Sequence, residues 1–241
     1  CTLKDYVLWT GNLELVRAKW AKIVAVAEFP LRDVFRHPAS GLLANCREFW
    51  ERHRAHGIQP GMELSYQLFV AEGLAAAAVL ARMTGHGPEA RRWDGESARL
   101  KHAMLKDKKY RMHDARGFIK RRGWDGRVQE SIEADPGIGL PAAVPLGRPG
   151  RHRLNPDTSS VLPIALGTIP PGSTLARRTF KSLEKLWNQD WSTGGYGRYD
   201  VSSEPDSPGG WPFASLFVAR AAVEAGDDEK VWRVLRWLGA V

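Results

Sequence analysis

At 241 residues the chain is long enough for one large domain or two small ones. Hydrophobic residues make up 43% of it and charged residues 26%, ordinary values for a folded globular protein. No uninterrupted apolar run reaches the roughly 18 residues of a membrane span, so no membrane partner is expected. The net charge of +8 raises nucleic acid as a partner. No helix-turn-helix, zinc-ligand or stacking-platform pattern accompanies it, and nucleic-acid binding is not expected. The excess concentrates in Lys106, Lys108, Lys109, Arg111, Arg116, Lys120, Arg121, Arg122 and Arg127, then Arg148, Arg151 and Arg153, and reads as a solvated basic face. Cys1 and Cys46 form neither a disulfide framework nor a metal-ligand spacing. No metal or cofactor is implied, and compartment and oligomeric state stay open. The first residue is Cys and residues 3–10 already read as helix, so the chain is expected to begin inside a domain.

In chain order, residues 3–10 and 12–28 predict a helical hairpin broken at Thr10-Gly11-Asn12, with Gly11 just past the first helix and Asn12 capping the second. Leu13, Val16, Trp20, Ile23, Val24 and Ala27 form the apolar stripe of the second helix. Residues 29–60 are an irregular connection punctuated by Pro30, Pro38, Gly41, Gly57 and Pro60. Helix 61–84 is apolar nearly all round, which predicts burial on more than one side. Helix 88–106 is amphipathic, with Ala90, Trp93, Ser97, Leu100 and Met104 on one stripe. A second long connection, 107–156, carries a β-hairpin near 110–122 turning at Asp114-Ala115-Arg116-Gly117. Helix 157–167 is short and contains Pro163, and helix 173–188 is amphipathic through Leu175, Thr179, Leu183, Leu186 and Trp187. The third connection, 189–210, is rich in Gly, Ser, Asp and aromatics. Helix 211–225, with Pro212 in its first turn, is apolar all round. Helix 228–238 closes the pattern with Val231, Val234, Leu235 and Leu238 inward.

One unit recurs through this list: an apolar helix, a glycine turn, then an amphipathic helix. The turns fall near Gly11, Gly85, Gly167 and Gly226. Short turns make neighbouring helices antiparallel. Apolar helices inside and amphipathic helices outside predict an all-α fold, part of an (α/α)6 barrel with about four of six hairpins. An open helical solenoid is the alternative, but its repeats are shorter and more regular. In a barrel the long connections all join an outer helix to the next inner one, so they share one rim. That rim would gather residues distant in sequence, and loops on a rigid scaffold are where binding and chemistry concentrate.

Two of those connections carry chemistry. Glu48-Phe49-Trp50-Glu51-Arg52 sets a carboxylate beside an indole. The indole offers a flat face for a sugar ring and a dry wall that raises a carboxylic acid's pKa. In Gly194-Gly195-Tyr196-Gly197-Arg198-Tyr199-Asp200 the glycines permit tight turns, and Arg198 offers a planar fork of donors for vicinal hydroxyls or a carboxylate. Tyr199 and Trp211 offer ring faces, and Glu204 and Asp206 can accept hydroxyl hydrogen bonds. The plainer reading is that Arg198 pairs with Asp200, Glu204 or Asp206 simply to fix the loop.

Three segments, in this order, resemble the glucoamylase-type glycoside hydrolases of family 15. Glu48-Phe49-Trp50-Glu51-Arg52 resembles that family's Asp-Leu-Trp-Glu-Glu. Asp157-Thr158-Ser159 with the run Leu175 to Phe180 resembles its Asp-Ala-Ser helix and following Arg-Val-x-x-Thr region. Gly197-Arg198-Tyr199 and Gly210-Trp211-Pro212-Phe213 resemble its Gly-Arg-Tyr and Pro-Trp stretches. The resemblance implies an inverting glycosidase of an (α/α)6 barrel acting on α-linked glucosides. It implies Glu51 as general acid, with Arg198 and the aromatics lining the subsite for the non-reducing-end sugar. Glu48 stands in place of an Asp and Arg52 in place of a second, substrate-binding Glu, so sugar contacts there are expected to differ. The family's general base falls beyond Val241, and the chain is expected to be one catalytic-domain fragment truncated at both ends. Glu204 or Asp206 as an in-chain base is the lesser alternative. Two other classes remain open from sequence. One is a non-catalytic carbohydrate-binding α/α toroid. The other is a six-hairpin phosphorylase or polysaccharide lyase, whose anionic substrate would suit the basic loops.

Overall fold

A computed structural model describes residues 2–45, 60–133, 151–189, 194–199 and 209–241. Trp50, Glu51, Glu204 and Asp206 lie outside the described residues. The described residues belong to two compact units. Unit one is Cys1–Ala44 with Tyr66–Arg111, and unit two is Asn45–Ser65 with Met112–Val241. The helices in chain order are α1 (Thr2–Thr10), α2 (Glu14–Ala18), α3 (Trp20–Glu28), α4 (Leu64–Met83), α5 (Gly87–Lys106), α6 (Leu162–Ala165), α7 (Thr174–Leu183), α8 (Pro212–Ala225) and α9 (Asp228–Ala240). The strands are short: β1 (Gly61–Glu63), β2 (His113–Asp114), β3 (Gly117–Phe118), β4 (Arg121–Gly123), β5 (Ser131–Glu133) and β6 (Arg151–Arg153). They form three two-stranded antiparallel pairs, β1–β4, β2–β3 and β5–β6.

The glycine-turn pattern is the fold's backbone logic. Gly11, Gly85, Gly167 and Gly226 sit at the four helix-to-helix turns with φ of 70°, 84°, 70° and 67°. An L-residue with a Cβ adopts this left-handed region only at a cost, so glycine marks each place where a helix stops and the chain reverses. Thr10, Asn12 and Glu14 complete the first turn, with Asn12 Oδ1 accepting the Glu14 N–H at 2.8 Å. Asp227 caps α9 by accepting from Lys230 N at 3.0 Å, and Ser173 caps α7 through Ala176 N at 3.2 Å.

Unit one is packed on its apolar stripes. The expected face of α5 is buried in full: Ala90, Trp93, Ser97, Leu100 and Met104, with Ala103 beside them. Trp93 meets Leu31, Leu43, Leu74 and the alanines of α4, and its indole N–H donates to Glu28 Oε1 at 2.7 Å. Trp20 stacks on His86 with ring centroids 3.8 Å apart. Gln67, fully buried, accepts the Leu43 N–H at 2.7 Å and donates to Leu43 O at 2.6 Å, so a side-chain amide does the work of a strand partner. By length and composition alone α4 could cross a bilayer. Most of it is buried inside the protein, and Glu72 pairs with Lys101 at 2.8 Å.

Several sequence expectations needed correction. The helix expected over 12–28 is broken at Lys19, which caps α2 and starts α3. Residues 61–63 form β1, because Gly61, Met62 and Glu63 pair in register with Gly123, Arg122 and Arg121. Helix 157–167 is a 3-10 turn over Thr158–Val161 followed by the single turn of α6, the geometry Pro163 tolerates in a first turn. Helix 173–188 ends at Leu183 and tightens into a 3-10 turn over Glu184–Leu186. In α9 the inward residues are Val234 and Trp237, while Leu235 is exposed. The β-hairpin expected near 110–122 is present as β2–β3. The Phe118 N–H donates to Thr179 Oγ1 at 3.0 Å, which ties it to α7.

The largest correction concerns charge. Lys120, Arg121 and Arg122, read from sequence as part of a solvated face, are 0%, 2% and 8% exposed. Each has a specific acceptor that periodicity could not reveal: Asp157 for Lys120, Glu63 for Arg121 and the Gly126 carbonyl for Arg122.

Candidate functional site

The site is built in unit two around the segment 194–199. Neighbours on two elements hold this segment in place. The Asn188 N–H donates to Gly195 O and the Gly197 N–H to Leu186 O, each at 2.8 Å. The Trp211 N–H donates to Tyr196 O at 2.9 Å, and the Tyr196 N–H donates to Ser215 Oγ at 2.8 Å. At its far end Tyr199 makes an antiparallel bridge to Asp157, and Thr158 donates both its N–H (2.8 Å) and its hydroxyl (2.9 Å) to Arg198 O. The backbone under Arg198 and Tyr199 is therefore fixed from both sides.

Glycine makes this possible at one decisive place. Trp237 of α9 lies against Gly195, where an added Cβ would come 2.5 Å from the indole, and against Gly210, at 2.7 Å. The indole fills the volume two side chains would otherwise take. It thereby holds the segment against the start of α8.

The Arg198 guanidinium then lies over the Trp211 ring. The guanidinium carbon lies 3.8 Å from the Trp211 ring centroid and 5.1 Å from that of Tyr199. Trp211 is the residue before the first turn of α8, with extended backbone, and Pro212 follows it in the first turn. A guanidinium over an aromatic ring gains a cation–π attraction, and its N–H donors lie in the plane of the fork. The three aromatic-site residues differ in access. Trp211 is half-buried, Arg198 is 8% exposed, and Tyr199 is 1% exposed, packed against Ala214, Trp211 and Phe217. Tyr199, expected to present a ring face, thus lies beneath the Arg198–Trp211 stack as its floor. Asp200, the nearest carboxylate expected to pair with Arg198, lies outside the described residues, as do Glu204 and Asp206.

Unit two also holds two buried ion pairs, and one of them, Lys120–Asp157, is tied to this wall through Tyr199. Lys120 Nζ lies 2.6 Å from Asp157 Oδ2 with both side chains fully buried. Arg121 Nη1 lies 3.2 Å from Glu63 Oε2, and its other terminal nitrogen donates to Asn45 O at 2.9 Å. Sequence reasoning missed Lys120 and Asp157 as supports of the site. The signal available was Asp157 at the head of a motif, capping the turn that follows: Asp157 Oδ1 accepts from Ser159 N at 2.8 Å.

Behind the segment, Tyr196 joins a charged cluster. Its hydroxyl donates to Glu184 Oε1 at 2.9 Å, Lys230 reaches the same oxygen at 2.5 Å, and Arg233 reaches Glu184 Oε2 at 2.8 Å and the Tyr196 hydroxyl. Burial pushes the Glu184 carboxyl up, but hydrogen bonds from Lys230, Arg233 and Tyr196 outweigh it and hold the pKa below the usual value. Burial, then the neighbouring Glu184 charge, raises the Tyr196 phenol, which stays protonated. Among the described residues no cluster of His, Cys, Asp and Glu could hold a metal ion.

No protein-family model matches the sequence, and no curated protein matches it. Among solved structures, a bacterial glucoamylase crystallised in complex with acarbose is similar over 85% of this chain, with a TM-score of 0.58 and 16% sequence identity. The chain corresponds to 29% of that enzyme's length. A likeness at this identity shows the fold: an all-α chain of helical hairpins, part of an α/α barrel of the glucoamylase kind.

Proposed function

We propose that the protein is a glucoamylase-like glycoside hydrolase whose Arg198–Trp211 stack receives the terminal sugar of an α-linked glucoside. The observation that carries this reading is the stack itself: a guanidinium clamped on an indole, its backbone fixed from both sides, in a fold shared with an enzyme that binds acarbose. Sugar rings are recognised by a flat apolar face together with in-plane donors for neighbouring hydroxyls, and the stack offers both. Trp211 supplies the face, Arg198 the donors, and Tyr199 the floor on which Arg198 rests. Trp50 adds a second aromatic surface, and Glu204 and Asp206 accept hydroxyl hydrogen bonds.

Glu51 acts as general acid. Protonated beside Trp50, it delivers its proton to the glycosidic oxygen as the bond to the anomeric carbon breaks. A second carboxylate takes a proton from a water attacking the opposite face, which inverts the anomeric centre. Room for that water sets the two carboxyls about 6.5–9.5 Å apart. In this reading residues 1–241 form one catalytic-domain segment, and the base belongs to the whole enzyme. Glu51→Gln is expected to lower kcat on maltooligosaccharides by about 10²–10⁴-fold with little change in acarbose affinity. Hydrolysis at the parent rate would refute the acid assignment. Acarbose binding by a parent enzyme without detectable hydrolysis would leave a carbohydrate-binding toroid.

A further inference from the structure

Two buried charges of unit two take no part in that proton transfer: Lys120 and Asp157. A fully buried ion pair is seldom more stabilising than an apolar pair of the same volume. Its use is therefore better sought in what it holds in place. Lys120 is anchored through its backbone, its N–H donating to Asn155 Oδ1 and its carbonyl accepting from Leu64 N, both at 2.9 Å. Its ammonium reaches Asp157 Oδ2 at 2.6 Å. Asp157 Oδ1 accepts from Ser159 N at 2.8 Å and from the Ser159 hydroxyl at 2.5 Å. Three links then run from this pair to the wall. Asp157 bridges Tyr199 through the backbone, and the next residue, Thr158, holds Arg198 O with two donors. The Lys120 ammonium also lies 5.9 Å from the Tyr199 ring centroid, at the reach of a cation–π contact.

We infer that Lys120 and Asp157 are positioning residues, which set the depth and tilt of Tyr199 and, through it, the guanidinium of Arg198 that meets the terminal sugar. The ligand in this inference rests on the carbohydrate reading; the geometry does not. The pair works at a distance from the sugar. Lys120 fixes Tyr199 from beneath, Asp157 fixes its backbone, and Arg198 lies across the ring at 5.1 Å.

The test is the double substitution Lys120→Met with Asp157→Asn. Met keeps the unbranched stem of Lys120, and Asn keeps the oxygen that caps Ser159. Its crystal structure is expected to show the Tyr199 ring displaced, and calorimetric titration is expected to show acarbose bound about tenfold more weakly. Combined with Tyr199→Leu, the losses in affinity are expected to be less than additive, because both substitutions act through the same ring. A merely structural pair would leave the ring in place or give additive losses, and either result overturns the inference. A parent protein that does not bind acarbose would refute the carbohydrate reading, and the position of the ring would then decide this inference alone. Should the double variant fail to fold, Lys120→Arg retains the charge but not the length, and the same displacement and loss are expected of it. An unmoved ring with unchanged affinity there would be equally decisive against the inference.

Discussion

Unit one closes its core over Trp93, Leu100 and the alanines of α4, and the polar groups it buries among the described residues are His37, Gln67 and Ser97. Unit two buries Glu63, Lys120, Arg121, Arg122, Asp157 and Arg198. The two kinds of interior answer to different physics. An apolar core is stabilised in proportion to the area removed from water and tolerates shape-preserving exchange. A buried charge loses its hydration on folding and is retained only where an opposite charge and further hydrogen bonds offset that loss. The fold could be built on the first kind alone, as unit one demonstrates. Of the second kind, Lys120 and Asp157 tie into the backbone and ring beneath the Arg198–Trp211 stack, where groups need fixed directions rather than mere burial.

The largest effects should separate the two interiors. Trp93→Ala in unit one and Lys120→Met in unit two are each expected to cost about 3–5 kcal/mol, the first as a cavity and the second as an unpaired buried carboxylate. They should differ on repair. Removing Asp157's charge as well is expected to restore most of the stability lost in Lys120→Met, whereas no neutralising partner substitution can refill the Trp93 cavity. Chemical denaturation of the four proteins measures this. A double variant no more stable than Lys120→Met alone would break the contrast.

A smaller effect, on the order of 1–3 kcal/mol, is expected from Gly195→Ala. Gly195 has φ of 85°, and its missing Cβ makes room for Trp237. Acarbose affinity should fall with stability, because this substitution moves the segment that carries Arg198. Full affinity with reduced stability would show that the segment's position does not matter to the site.

How much of this was legible follows the same division. Helices were readable because apolar residues recur at helical spacing, and the α5 stripe was recovered residue by residue. The glycine turns were readable because only glycine enters the left-handed region freely. β1 was not, since three residues give no alternation to detect and its pairing with β4 is a tertiary event. The break at Lys19 left no breaker residue to read. The buried run Lys120-Arg121-Arg122 looks identical to a solvated one until Asp157 and Glu63, remote in sequence, are brought to it. Residue type and resemblance single out Arg198 and Trp211, but only the fold brings Tyr199 beneath them. Trp50 and Glu51 remain readings of the sequence.

The smallest effect is one of pH. The Glu184 carboxyl is held below its ordinary range in the folded protein, so the stability it contributes is fully present above its unfolded pKa of about 4.3. That contribution is lost as pH falls from there through the lowered folded value. Glu184→Gln is expected to be less stable than the parent at neutral pH and to converge on it in acid. Urea denaturation across that range reads the difference. A gap that stays constant down to pH 2 would remove the Lys230–Arg233–Tyr196 cluster as its cause.

The most direct test of the central claim is calorimetric titration of acarbose into the parent and into Trp211→Ala. The stack account predicts binding by the parent and at least about tenfold weaker binding by the variant, with the fold of both retained. Equal affinity in the two proteins, or no binding by the parent, would contradict it.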